Sequence, residues 1–207
     1  PQGHLWLTVD ICAENQAEVI DDLKRWLDLY LATGVKAGVL HPGGNQMRRQ
    51  QQSPAAVLDS QTQALGQLCT HLQGTDFTLC LENVPGTPEV EQLLSIIRAV
   101  DSQRLGICLD TGHLNMAGGD QGHFLRQAGD RLKAMHLADN EGKTDQHMMP
   151  YGRGSVDWSA VMGGLKALGY EGLLNLEIPG ESKAPDSVLL AKLDYLQVLM
   201  RYLVEEA

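Results

Sequence analysis

Residues 104–113 read RLGICLDTGH, an apolar run that ends on an acid and then turns at Thr-Gly. A short continuous apolar run bounded by turn residues is the signature of a strand buried on both faces, as in a parallel sheet. Its last residue, Asp110, is costly to bury without a partner. The same design occurs in FTLCLEN (77–83), RLKAMHLADN (131–140) and GLLNLEIPGE (172–181), on Glu82, His136 and Glu177. Four such groups at the same place on four strands imply strands that converge on one hard cation.

Working outward, helical patterns alternate with these runs. His4–Ile11 is predicted to be the first strand, followed by a helix over Ala17–Leu31, where Val19, Ile20, Leu23, Trp26, Leu27 and Tyr30 recur at helical spacing. GVKAGVLH (34–41) is the second strand, and the polar stretch GGNQMRRQQQSP (43–54) separates it from a helix over Asp59–Leu72. Thr87-Pro88 has the form of an N-cap followed by proline in the first turn. Further helices are expected over Phe124–Leu132, Trp158–Leu168 and Asp186–Val204. Regular βα alternation gives a parallel sheet with crossover helices. Polar groups at the ends of many different strands favour a closed barrel over an open sheet, whose ligands cluster at one switch point. The fold class is therefore α/β, a TIM (β/α)8-type barrel in one domain over residues 1–207. About six βα units can be counted, so the first two units of an eight-unit barrel are expected to be lacking.

Strand alternation tests the cation reading. If Glu82, Asp110 and Glu177 point inward, then Leu79, Leu81, Ile107, Leu109, Leu174 and Leu176 point out toward the helices. The inward neighbours Thr78, Cys80, Gly106, Cys108, Ala134 and Asn175 are small or polar, which suits a crowded interior. In the fifth strand Lys133 is expected to share the outward face with Met135.

A net charge of −10 argues against a phosphate backbone as main partner. The four cysteines form no C-x-x-C pair and fit a reducing cytoplasm as small buried hydrophobes. No apolar run is long enough to span a membrane, and the opening PQGHLWLTVD shows no charged leader. No G-x-G-x-x-G or P-loop motif supports nucleotide binding. Association into a homo-oligomer is left open.

Three carboxylates in one place repel one another, and a divalent cation removes that repulsion. The Glu82, Asp110, His136 and Glu177 set suits Mn²⁺ first, with Zn²⁺, Mg²⁺ or Co²⁺ as alternatives. Around it lie His41 in L-H-P-G, His113 in D-T-G-H, and Asp145 and His147 in D-x-H, before the glycine-rich PYGRG. His4, His71 and His123 have no such company, and the last two have the setting of exposed helical residues.

At these residues the chain resembles the xylose isomerase-like metal-dependent barrels, a superfamily of sugar isomerases and epimerases and of endonuclease IV. The matching segments are VLHPGG, LCLENVPG, GICLDTGHLN, MHLADNEGKTDQHMMPYGRGSVDW and LNLEIPGE, in the family's order and over nearly the whole chain. The resemblance implies metal ligands at Glu82, Asp110, His136 and Glu177. It implies a proton-exchange pair at Glu82 and Glu177, and substrate contacts at His41, His113, Asp145, His147 and Arg153. The expected function is a divalent-metal-dependent isomerase or epimerase of a sugar, sugar phosphate or related polyhydroxy carbonyl compound. The resemblance to endonuclease IV implies the alternative, a zinc phosphodiesterase acting on abasic DNA. Its three-zinc site uses counterparts of His41, Glu82, Asp110, His113, His136, Asp145, His147 and Glu177, with His4 as a poorly aligned candidate for one more. A dehydratase using the same proton abstraction and a non-catalytic barrel are the remaining alternatives.

Overall fold

The computed structural model describes residues 1–85, 87–180 and 182–206. Its sheet begins with β1 (Gln2–His4) and β2 (Ala37–Leu40), continues through β3 (Thr78–Glu82), β4 (Leu105–Asp110) and β5 (Leu132–Leu137), and ends with β6 (Asn175–Leu176). The strands pair in sequence order, every pair parallel. The sheet is curled. The Gln2 side chain on the first strand donates to the Met135 carbonyl on the fifth at 3.3 Å. The described sheet holds six strands, two fewer than a closed barrel. Its edges β1 and β6 flank a cleft of about 500 Å³.

The helices are α1 (Gln16–Ala32), α2 (Asn45–Arg49), α3 (Pro54–His71), α4 (Val90–Val100), α5 (Thr111–Met116), α6 (Gln121–Ala128), α7 (Trp158–Leu168) and α8 (Asp186–Glu206). Leu79, Leu81, Ile107, Leu109, Met135 and Leu137 face the helices and join one core with Leu23, Leu65, Leu93, Phe124 and Val161. Each fully buried aliphatic side chain there contributes roughly 1.5–3 kcal/mol. The opposite face of the strands is a separate, thinner cluster of Val39, Cys80, Cys108 and Ala134. The small inward residues leave room above them for strand-end groups.

Several local expectations are corrected. The first strand stops at His4, and an irregular turn follows in place of strand to Ile11. Asp10 holds that turn by accepting from the backbone N–H of Cys12 at 2.9 Å and of Gly44 at 2.7 Å. Thr87 does not cap α4. Its backbone pairs with Val84 and its hydroxyl accepts from Arg48, so the helix starts later, with Glu89 and Gln92 forming a reciprocal capping box. The polar 43–54 stretch contains α2, and α5 follows β4 directly. Lys133 does not share the Met135 face. The β4–β5 register shifts between Ile107 and Cys108, and the Lys133 side chain lies over the Gly106 and Thr78 positions of the inner face. No helix among the described residues is long and apolar enough to cross a membrane.

Candidate metal centre

The C-terminal ends of β3 and β4 carry Glu82 and Asp110, the penultimate residue of β5 is His136, and Glu177 follows β6 directly. One ligand atom from each of the four lies within 4.8 Å of all the others. Glu82, Asp110 and His136 are almost wholly buried, and Glu177 is about one quarter exposed.

The polar bookkeeping of this cluster is incomplete without a cation. His136 Nδ1 lies 3.0 Å from Glu82 Oε1 and 2.8 Å from Glu177 Oε2. One ring nitrogen carries at most one proton and cannot give both oxygens a full hydrogen bond. Glu177 Oε2 accordingly has no hydrogen-bond partner despite its proximity. Asp110 Oδ1 accepts from the His113 backbone N–H at 2.6 Å, capping α5, while its Oδ2 is buried and unpartnered. An orphaned buried polar atom costs roughly 1–3 kcal/mol, and more if charged. Three carboxylates and one imidazole, with two orphaned oxygens among them, are a donor set that fits a divalent cation.

The electrostatics divide the carboxylates. Burial acts to raise Glu82, but hydrogen bonds from His136, His4 and His41 outweigh it and hold the group well below the usual carboxylate range. Burial pushes Asp110 up to about 7, with the Glu82 and Glu177 charges adding to it and His113 opposing. For Glu177, burial is outweighed by the neighbouring His136, and the net shift is downward.

Two further clusters adjoin the centre. Glu82 Oε2 lies 3.0 Å from His4 Nε2 and 3.3 Å from His41 Nε2. His4, His41 and Glu82 also offer three ligand atoms within 4.8 Å of one another. On the other side, Asp145 Oδ2 lies 3.3 Å from His113 Nε2 and 3.1 Å from His147 Nε2. The other nitrogen of each ring is anchored on backbone: His113 Nδ1 donates to the Asn83 carbonyl at 2.9 Å and His147 Nδ1 to that of Glu177 at 2.7 Å.

Of the residues singled out in the sequence, Glu82, Asp110, His136, Glu177, His41, His113, Asp145 and His147 thus come together. Arg153 does not join them. Its side chain is exposed on the loop after β5, 3.7 Å from Glu141. His4 is the residue that sequence reasoning underrated. Leu5, Trp6 and Leu7 extend its apolar run and disguise the fact that the strand ends on it, and the flanking Gly3 was the available signal. His71 lies at the end of α3, 2.7 Å from Asp28, and His123 is exposed on α6.

A family model described as xylose isomerase-like TIM barrel matches residues 2–199. Uncharacterized protein MJ1311 of Methanocaldococcus jannaschii is 29% identical over 157 residues, which cover 72% of this chain and 53% of that protein. A probable endonuclease 4 of Mycoplasma pneumoniae is 29% identical over 171 residues, covering 72% of this chain and 56% of the relative. The chain therefore spans about half the length of these curated relatives. The crystal structure of a D-tagatose 3-epimerase-like protein superposes with a TM-score of 0.77 at 23% identity, covering 97% of this chain and 78% of that one.

Proposed function

The chain belongs to the xylose isomerase-like TIM barrel family, and from that premise we propose that it is a divalent-metal-dependent isomerase or epimerase of a small polyhydroxy carbonyl compound. The observation that carries the reading is the convergence of Glu82 and Glu177 on one His136 nitrogen, with an orphaned Asp110 oxygen beside them. Glu82, Asp110, His136 and Glu177 would hold the cation, with Mn²⁺ favoured by the oxygen-rich set. A divalent ion there supplies Lewis acidity, which polarises a carbonyl and makes the adjacent C–H acidic. Glu82 or Glu177 removes that proton and the other carboxylate returns one. Glu82 is ionised by its three histidine partners, and Glu177 borders the open cleft. His41, His113, Asp145 and His147 bind the hydroxyl groups, while Arg153, exposed beside Glu141, stands apart from them.

Deuterium wash-in tests this reading. With Mn²⁺ supplied and a panel of ketoses and ketose phosphates in D₂O, at least one compound exchanges a carbon-bound proton, and Glu177→Gln abolishes the exchange. Absence of exchange across the panel would count against it. A dehydratase on the same substrate class shares the first proton abstraction and is separated by loss of water from the product.

A second reading is favoured by the histidines around Glu82 and Asp145. Their placement adds two clusters to the first, at the positions that the resemblance to endonuclease IV implies for further zinc ligands. The relative named probable endonuclease 4 supports the same reading. The net charge of −10 weighs against a DNA substrate. Nicking of an abasic duplex by the zinc-loaded protein would select this reading over the first.

A further inference from the structure

Asp139 lies three residues beyond His136 and belongs to none of the clusters above, yet it is 1% exposed. Its carboxylate is fully engaged. Oδ1 accepts from the backbone N–H of Asn140 at 2.8 Å and of Val156 at 3.0 Å, and Oδ2 accepts from the Trp158 indole N–H at 2.9 Å. Its backbone exchanges two hydrogen bonds with Met148, at 2.9 and 2.8 Å. The start, middle and end of the loop between β5 and α7 therefore meet on this one residue. The loop also passes directly over the carboxylate at Gly154, where an added Cβ would come within 2.0 Å of Asp139 Oδ1.

The loop carries Asp145 and His147. His147 directly precedes the Met148 that pairs with Asp139, and its backbone sits at φ +47°, an uncommon conformation for a side-chain-bearing residue. From there its ring donates to the Glu177 carbonyl at 2.7 Å. Glu177 needs that support, because β6 is only two residues long and Glu177 is otherwise tied to the sheet by its N–H to the Leu137 carbonyl at 3.0 Å.

We propose that Asp139 is a positioning residue for the cation site: with Gly154 it clamps the loop so that His147 fixes the backbone of Glu177. The proposal rests on the reading of Glu177 as a cation ligand. Removing a partner that orients a ligand typically costs about 10–100-fold in metal affinity.

The test compares Asp139→Ala and Gly154→Ala with the wild-type chain in three measurements: Mn²⁺ affinity, the visible spectrum of the Co²⁺-loaded protein, and amide hydrogen exchange at Met148 and Val156. The expected result in both variants is about a 10-fold or greater loss of Mn²⁺ affinity, a changed Co²⁺ ligand-field spectrum and faster exchange at the two amides. The spectrum reports coordination geometry, which a merely destabilised fold would leave unchanged in the folded fraction. Gly154→Ala keeps the carboxylate and removes only its fit, so it decides the matter if Asp139→Ala does not fold. Wild-type affinity and an unchanged spectrum in the folded variants overturn the proposal. If the wild-type chain binds neither ion, the reading of the cation site fails instead. Exchange then decides the clamp alone: acceleration supports it and unchanged rates overturn it.

Discussion

Glu82 takes three imidazoles within 3.3 Å on its two oxygens, and that concentration of partners explains why so buried a carboxylate stays ionised. The same arrangement makes His136 the residue whose loss is felt most. His136→Ala leaves the buried Glu82 without one partner and brings three carboxylates face to face. Chemical denaturation should register a loss of about 3–5 kcal/mol, the usual consequence of removing one member of a buried charged pair. Near-wild-type stability would show that the cluster is more open to water than its burial indicates. The cysteines give a second test. Burial pushes the Cys108 thiol up to about 12 and the Cys12 thiol up to about 11, from an ordinary value of 9.0. A thiol-reactive dye at pH 8 should therefore label the folded chain only slowly and all four cysteines after unfolding. Because the folded values lie above 9.0, the unfolded chain ionises first. The thiol contribution to stability is thus complete below about pH 9 and is lost as pH rises above it. The cation-site residues were legible because each interrupts an apolar run at its end. His4 was not, because the apolar residues beyond it continue the run that the backbone abandons.

Strand and helix bounds were legible where two signals agreed. The Trp158–Leu168 helix matches α7 to the residue and the run ending on Asp110 matches the end of β4, because apolar pattern and flanking turn residues stop together. At α4 the signals competed. Thr87-Pro88 has the sequence form of a helix start, yet Thr87 is committed to Val84 and Arg48, and the Glu89–Gln92 box takes over. Lys133 failed for a related reason, since alternation assumes an unbroken register and β4–β5 has a shift. In β2, Gly38 lies against Phe77, and an added Cβ would sit 2.6 Å from Cζ of that ring. Gly38→Ala should cost about 1–3 kcal/mol by overpacking, measured as a shift of the urea midpoint with unchanged slope. No shift would mean that Phe77 has room to withdraw.

At the scale of the whole molecule, the curl of the sheet is what turns four separate strand ends into one site. The parallel βα order was legible from alternation of apolar runs and helical patterns. The curl that brings His4 to within 5.6 Å of the His136 ring was not, because it depends on strand-to-strand geometry that no local pattern encodes. If a cation completes the centre, it binds the folded chain far better than the unfolded one and stabilises it by mass action. At 100 times its dissociation constant that amounts to about 2.7 kcal/mol. Chelation should accordingly lower the thermal midpoint, and re-addition of Mn²⁺ should restore it. The central claim, that Glu82, Asp110, His136 and Glu177 form one cation site, is tested most directly by counting metal in protein dialysed against excess Mn²⁺ and then freed of unbound ion. The account predicts one ion per chain, lost in Glu177→Ala; no bound ion, or an ion retained in full by that variant, would contradict it.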